Sequence, residues 1–126
     1  MSRLSCLFEP RSVAVIGASD DRTKYGNRVM QSILDAGYTR PIYGVNPNLT
    51  TVLGRKAYPT VRDLPEPVEL AFIVIPAKAV LESVKDCISA GVKGIVIITA
   101  GFGEVSPDGL DAEAEIVLPQ SLEQRL

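Results

Sequence analysis

Small and cationic residues are concentrated between Gly17 and Gly26, directly after a short apolar run. Gly17 allows the chain to turn sharply and lets a ligand come close to the backbone. Ser19 can donate a hydroxyl hydrogen bond, and Arg22 and Lys24 supply positive charge. If a helix follows, its first N–H groups and its dipole favour an anion at the same place. The stretch predicts a phosphate site, with a plain strand-to-helix turn carrying solvated charges as the alternative.

Histidine is absent from the chain. Its absence excludes an imidazole base, a histidine metal ligand and a phosphohistidine within this chain. The two cysteines, Cys6 and Cys87, are far apart and have no metal-binding spacing, which is typical of reduced thiols in a cytoplasmic protein. We therefore predict no catalytic residues and no metal site, and we expect a cytoplasmic location.

Size and composition indicate one globular domain over residues 1–126. The chain is 46% apolar and has a net charge of −2, which favours neither nucleic acid nor an anionic membrane as a partner. No apolar run approaches the roughly 20 residues that cross a bilayer. The N-terminus also lacks the long apolar segment of a signal peptide.

Short runs rich in Val, Ile and Ala alternate along the chain with segments of helical periodicity. Runs that are apolar throughout are typical of parallel strands covered on both faces. The alternation predicts an α/β, Rossmann-like three-layer fold around a parallel sheet of about four or five strands. The predicted strands are 12–16, 41–45, 56–58, 70–75 and 94–99, and the predicted helices are 25–36 and 79–90. Residues 105–126 are predicted to form a helical tail.

Ligands of such sheets bind outside the carboxyl ends of the strands, where the strand order reverses. Four loops follow strands and are expected at that edge: residues 17–26, 46–48, 76–78 and 99–104.

The loop glycines do not match the common dinucleotide or ATP motifs. A nicotinamide or flavin site usually has G-x-G-x-x-G, with an Asp or Glu at the end of the second strand. Here Gly17 is followed by Ala18 and Ser19, and the second strand ends in Val45 and Asn46. No Gly-Lys-Ser/Thr of a Walker A loop is present either. An NAD(P)-binding Rossmann module is therefore a less favoured alternative.

An ordered series of short motifs resembles one family over residues 7–104. The series begins with LFEPRSVAVIGAS at 7–19, KYG at 24–26, IYGVNP at 42–47 and GRKAYP at 54–59. It continues with ELAFIVIPA at 69–77, GVKG at 91–94 and TAGFGE at 99–104. The series resembles the N-terminal CoA-binding domain of NDP-forming acyl-CoA synthetases. This group includes the ADP-forming acetate–CoA ligases and is related to the succinyl-CoA synthetase alpha subunit.

The resemblance implies a CoA site at the matching positions. In the family the first loop holds the CoA phosphates, the turn after the second strand flanks the nucleotide end, and the loop after the last strand lies near the pantetheine arm. The turn at Pro76 and Ala77 would form a second wall for the adenine. From the resemblance and the loop chemistry together, the predicted CoA-binding residues are Gly17, Ala18, Ser19, Arg22, Lys24, Gly26, Val45, Asn46, Pro47, Pro76, Ala77, Thr99, Ala100 and Gly101.

Two departures from the family stand out. Where the succinyl-CoA synthetase alpha subunit has a lysine shortly after the proline, this chain has Asn48 and Leu49, so Lys24 or Arg55 would have to replace that phosphate contact. Residues 105–126 lack the family's Gly-Pro-Asn turn, and no phosphohistidine domain or ATP-grasp part is present. We expect a family domain truncated after its first part.

Four functions fit these observations. The favoured one is CoA or acyl-CoA binding without ligase activity by this chain alone. The second is the CoA-binding subunit of a multi-chain synthetase, whose partner carries the phosphohistidine and the ATP site. An NAD(P) module and an inert remnant of a broken reading frame are the other two. CoA is the expected cofactor and a ligase chain the possible partner, and a homo-oligomer is left open.

Overall fold

Short strands alternate with helices in the part of the chain that the computed structural model describes, residues 9–100 and 112–117. The strands are β1 (Val13–Ile16), β2 (Ile42–Val45), β3 (Thr51–Val52), β4 (Arg55–Tyr58), β5 (Leu70–Ile73), β6 (Gly94–Ala100) and β7 (Ala112–Val117). The helices are α1 (Tyr25–Asp35) and α2 (Ala77–Ser89), and a 3-10 turn spans Val61–Asp63. The strands and helices predicted up to residue 100 are therefore present, with ends shifted by at most a few residues.

These strands form one seven-stranded sheet in the order β3-β4-β2-β1-β5-β6-β7. The central strands β4, β2, β1, β5 and β6 run parallel, whereas β3 and β7 pair antiparallel at the two edges. The predicted α/β Rossmann-like fold is confirmed. The sheet is wider than predicted because an antiparallel strand is added at each edge of the parallel part.

Strand β7 shows that the helical prediction is wrong for Ala112–Val117. This segment pairs with β6, with Ala112 opposite Ala100 and Val117 opposite Ile95. Its alternating acidic and apolar residues have the two-residue period of a strand. The outer edge of β6 offers a row of N–H and C=O groups that such a segment can pair with. The rest of the predicted tail, residues 105–111 and 118–126, lies outside the described residues.

Each face of the sheet packs against one helix, because successive side chains of a strand point to opposite faces. On β1, Val13 and Val15 belong to the core layer that includes Met30 of α1. Ala14 and Ile16 belong to the layer that includes Cys87 of α2. All four residues of β1 are buried, so this strand lies at the centre of the three layers.

Both helices are followed by a glycine in the left-handed region, with φ of 88° at Gly37 and 83° at Gly91. After α1, the N–H of Gly37 donates to the Leu34 carbonyl at 3.1 Å. Left-handed glycines of this kind end helices and satisfy their last carbonyls. In the described part of the chain, neither helix has the length and apolar character needed to cross a membrane.

Candidate functional site

The strand order reverses at β1, where the ends of β1, β2 and β5 are held together by hydrogen bonds. The N–H of Gly17 donates to the Val45 carbonyl at 2.9 Å, and the N–H of Val74 donates to the Ile16 carbonyl at 2.8 Å. In the sheet, β2 and β5 lie on opposite sides of β1. This is the position at which open α/β sheets bind their ligands.

Gly17 turns off β1 in a backbone conformation that suits only glycine. Its φ is +94°, and a Cβ at this position would lie 2.1 Å from the Val74 carbonyl oxygen. Any side chain would therefore collide with the backbone that follows β5. Glycine at this position keeps the ends of β1 and β5 close together.

A cleft of about 390 Å³ lies at this point, and we call it the switch-point cleft. Its volume falls in the range of small-molecule sites. It is lined at the ends of β1 and β2, in the turns after β4 and β5, and on α2. Five of the predicted residues line it: Gly17, Val45, Asn46, Pro47 and Pro76. Residues from loops 17–26, 46–48 and 76–78 thus meet at one cleft.

The first loop is held in place by two asparagine side chains. Asn46 Nδ2 donates to the Ala18 carbonyl at 2.9 Å, and Asn27 Nδ2 donates to the Ser19 carbonyl at the same distance. Ala18 is fully buried, and Ser19 Oγ accepts a hydrogen bond from the Asp21 N–H at 3.0 Å. Ala18 and Ser19 therefore fix the loop, and their side chains do not line the cleft.

The cleft borders the N-terminus of α2, and Gly17 on its wall packs against Gly26 in the first turn of α1. Lys24 precedes α1 and Pro76 precedes α2, each in extended backbone, and neither side chain makes a capping hydrogen bond. Within the described chain, the first turn of each helix contains no acidic residue. Asn27 and Ala79 donate their N–H groups to the carbonyls of Lys24 and Pro76. No acidic side chain of either first turn offsets the positive dipole ends, which favours a bound anion.

The two acidic residues of the first loop accept hydrogen bonds from groups outside α1. Asp21 accepts hydrogen bonds from the N–H and the hydroxyl of Thr23, and these bonds lower the pKa of the Asp21 carboxyl. Asp20 Oδ1 accepts from the Leu53 N–H at 2.7 Å, which ties the first loop to the turn between β3 and β4. Neither carboxylate is hydrogen-bonded to an N–H group of α1.

One wall of the switch-point cleft comes from α2 and was not predicted from the sequence. Ala79, Ser83 and Asp86 line the cleft, and their spacing of four and three residues places them on one face of the helix. Asp86 Oδ1 lies 3.3 Å from Nη2 of Arg62 in the 3-10 turn. The sequence does not reveal this wall, because a serine and an aspartate on an amphipathic helix look the same whether they line a ligand site or face solvent.

The model of the CoA binding domain family matches residues 11–120. The chain belongs to this family. The alpha subunit of the ADP-forming acetate–CoA ligase II of Pyrococcus furiosus is 44% identical over 114 residues, which cover 90% of this chain and 25% of the relative.

Two solved structures show the same fold. The dinucleotide-forming acetyl-coenzyme A synthetase 1 of Ca. Korarchaeum cryptofilum, in complex with phosphate and ADP, is 42% identical with a TM-score of 0.75, covering 82% of this chain and 22% of that one. A protein of Pyrococcus horikoshii OT3 is 42% identical with a TM-score of 0.74, covering 85% of this chain and 24% of that one. This CoA-binding domain spans between 14% and 26% of the length of the curated relatives.

The CoA-binding domain does not bring all of the predicted site residues to the cleft. Arg22 lines a separate groove with Asn27 and Arg28. Lys24 is exposed at the start of α1, and Ala77 is exposed as the first residue of α2. None of these three predicted residues, Arg22, Lys24 or Ala77, lines the cleft. Gly26 is buried in α1 and packs against the Gly17 carbonyl, so it contributes backbone packing.

The predicted pantetheine end of the site is described only in part. Thr99 and Ala100 lie in β6, where they pair with Glu113 and Ala112 of β7. Gly101 lies outside the described residues. Among those residues, histidine, cysteine and carboxylate side chains form no cluster that could hold a metal ion.

Proposed function

We propose that this chain binds CoA or acyl-CoA and does not form acyl-CoA by itself. The observation that carries the proposal is the switch-point cleft, which borders the N-terminus of α2 and is lined by Gly17, the residue that packs against the first turn of α1. Neither helix has an acidic side chain in its first turn. The adenine of CoA fits an apolar slot, and its diphosphate is an anion of the kind that helix N-termini bind. The family to which the chain belongs supports the same ligand.

The proposed arrangement assigns each part of CoA to one part of the site. The diphosphate is bound at the first loop by backbone N–H groups near Gly17 and by the ammonium group of Lys24. The adenine lies in the switch-point cleft between Pro47 and Pro76, which both line it. The pantetheine arm leaves along the end of β6, towards Thr99, Ala100 and Gly101.

The side chain of Asn46 makes NAD(P) a poorer candidate. In NAD sites a carboxylate at the end of the second strand accepts hydrogen bonds from the ribose hydroxyls. Asn46 stands there instead, and its Oδ1 already accepts from the Asn48 N–H at 2.8 Å. Its Nδ2 donates to Ala18, so both ends of the amide are engaged within the protein.

A role as the CoA-binding part of a larger ligase is the second candidate. The observation that favours it is the match to a quarter of an ADP-forming acetate–CoA ligase alpha subunit. These 126 residues contain no histidine, so a phosphohistidine step would have to use a residue outside them. Acyl-CoA formation that appears only when a co-purifying ligase chain is added would support this role.

The direct test of the proposal is calorimetric titration of the purified chain with CoA, with NAD and ATP as parallel ligands. We expect micromolar binding of CoA, which corresponds to about −8 kcal/mol, and much weaker binding of NAD and ATP. Lys24→Ala should weaken CoA binding about fivefold, because it removes one charge-assisted contact. Lys85→Ala, which removes an exposed lysine of α2, is the matched control and should bind CoA as the wild type does. A folded chain that does not bind CoA, or that binds NAD more tightly than CoA, would refute the proposal.

A further inference from the structure

The α2 wall of the switch-point cleft carries one charged group, the carboxylate of Asp86. The facing walls are largely apolar and include Ile16, Val61 and Ile75. Asp86 and Ser83 are the polar residues that α2 contributes. In a slot with apolar walls, a few placed polar groups decide which ligand is held and in which orientation.

The carboxylate of Asp86 is held in position by an ion pair and still has free acceptor positions. Its Oδ1 is paired with Arg62 Nη2 at 3.3 Å, and its side chain is 35% exposed. An ionised carboxylate has about four acceptor positions, so one guanidinium contact leaves others for a ligand. Arg62 is 62% exposed and fixes the carboxylate from the side of the 3-10 turn. The pair presents an oriented acceptor to whatever enters the cleft.

We propose that Asp86 selects a 6-aminopurine base by accepting a hydrogen bond from its exocyclic amino group. This assignment rests on the proposed function, since it names the group that recognises the adenine of CoA. An acceptor-only carboxylate matches the amino group, which is the donor on that edge of adenine. Pro47 and Pro76 flank the ring faces, and Asp86 meets the edge of the ring. Arg62 acts through Asp86 as a positioning residue.

The test compares CoA with an analogue whose base is purine, with hydrogen in place of the 6-amino group. Both are titrated calorimetrically into the wild type and into Asp86→Ala, Asp86→Asn and Arg62→Gln. The wild type should bind CoA at least about tenfold more tightly than the purine form, because a hydrogen bond to a charged group is lost. Asp86→Ala should bind the two ligands within about twofold of each other.

The two remaining variants separate recognition from a merely structural ion pair. Asp86→Asn keeps an acceptor oxygen and should retain part of the preference for CoA. Arg62→Gln breaks the ion pair, keeps the carboxylate and should retain a preference for CoA. If the ion pair only holds α2 against the 3-10 turn, the ratio of the affinities for CoA and the purine form will be the same in every variant. That result would overturn the assignment.

The wild-type measurement alone distinguishes the two possible failures, even if a variant does not fold. Equal affinity for CoA and the purine form would overturn the role of Asp86 and leave the proposed function intact. A folded wild-type chain that binds neither ligand would overturn the proposed function, and the role of Asp86 with it.

Discussion

The Cα of Gly26 lies so close to the Gly17 carbonyl that a Cβ on Gly26 would be 1.8 Å from that oxygen. This contact joins the first turn of α1 to the loop that leaves β1. It explains the spacing between the two glycines better than a ligand contact does, because Gly26 itself is buried. The position of the proposed phosphate loop therefore depends on a backbone packed directly against backbone.

Substitution of Gly26 should damage both the fold and the ligand site. In Gly26→Ala either α1 or the Gly17 carbonyl must move, and we expect a loss of at least about 2 kcal/mol in unfolding free energy, with weaker CoA binding. Gly37→Ala is the control, because Gly37 has a φ of +88° but open space around it. It should lose about 1 kcal/mol and bind CoA normally. Urea denaturation and CoA titration of both variants provide the measurement, and equal CoA affinity in the two would contradict this account of the loop.

A lysine in place of Asn48 should strengthen CoA binding. Asn48 lines the switch-point cleft and stands where the resemblance to the succinyl-CoA synthetase alpha subunit implies a phosphate-binding lysine. Asn48→Lys adds one cation to the cleft that Gly17 of the proposed phosphate loop also lines, and we expect an affinity gain of about fivefold at low salt. Thr50→Lys adds the same charge at an exposed position that does not line the cleft, and its gain should be smaller. Equal gains would show that only net charge matters.

The buried thiol of Cys87 should make the fold less stable in alkali. Burial raises the pKa of Cys87 from 9.0 to about 12, and the charge of Asp86 contributes. Above pH 9 the unfolded chain loses this proton while the folded chain keeps it, so the contribution is complete below pH 9 and falls as the pH rises. Between pH 8 and pH 10 the loss should be about 1.4 kcal/mol.

The comparison that isolates this thiol is urea denaturation of the wild type and Cys87→Ala at pH 8 and pH 10. Tyr43 also has a raised pKa, about 12, from burial and its hydrogen bond to Glu66. Because the ordinary pKa of Tyr43 is 10.0, the stability that the protein loses through Tyr43 is lost mainly above pH 10. Cys87→Ala keeps Tyr43, so this contribution is the same in both proteins. The wild type should lose more stability than Cys87→Ala over the interval. Equal losses of stability in the two proteins would mean that the thiol of Cys87 has the same pKa in the folded and the unfolded chain.

Local patterns predict the parallel part of this fold well, because each strand carries its own burial signal. Val13–Ile16 is apolar throughout and is buried on both faces, and Gly37 and Gly91 end the helices as expected. The same reasoning fails at Ala112–Val117. Alanine and glutamate favour a helix intrinsically, but pairing with the edge of β6 over the whole segment outweighs that preference.

The candidate site is predictable only where it follows strands. Gly17, Val45 and Pro76 could be found because the carboxyl ends of parallel strands meet at one edge. Asp86 could not, since it lies well inside α2 and reaches the cleft only through the packing of that helix on the sheet. Asn27 was missed for a similar reason, because its role is a hydrogen bond to a carbonyl eight residues earlier.

The most direct test of the central claim is CoA titration of two serine-to-tryptophan variants on the same helix. Ser83 lines the switch-point cleft, whereas Ser89 is exposed at the last position of α2 and does not line it. Ser83→Trp fills the cleft and should weaken CoA binding by more than about tenfold, a cost above 1.4 kcal/mol. Ser89→Trp should bind CoA as the wild type does, with circular dichroism confirming that both variants are folded. Unchanged affinity in folded Ser83→Trp would contradict the placement of CoA in this cleft.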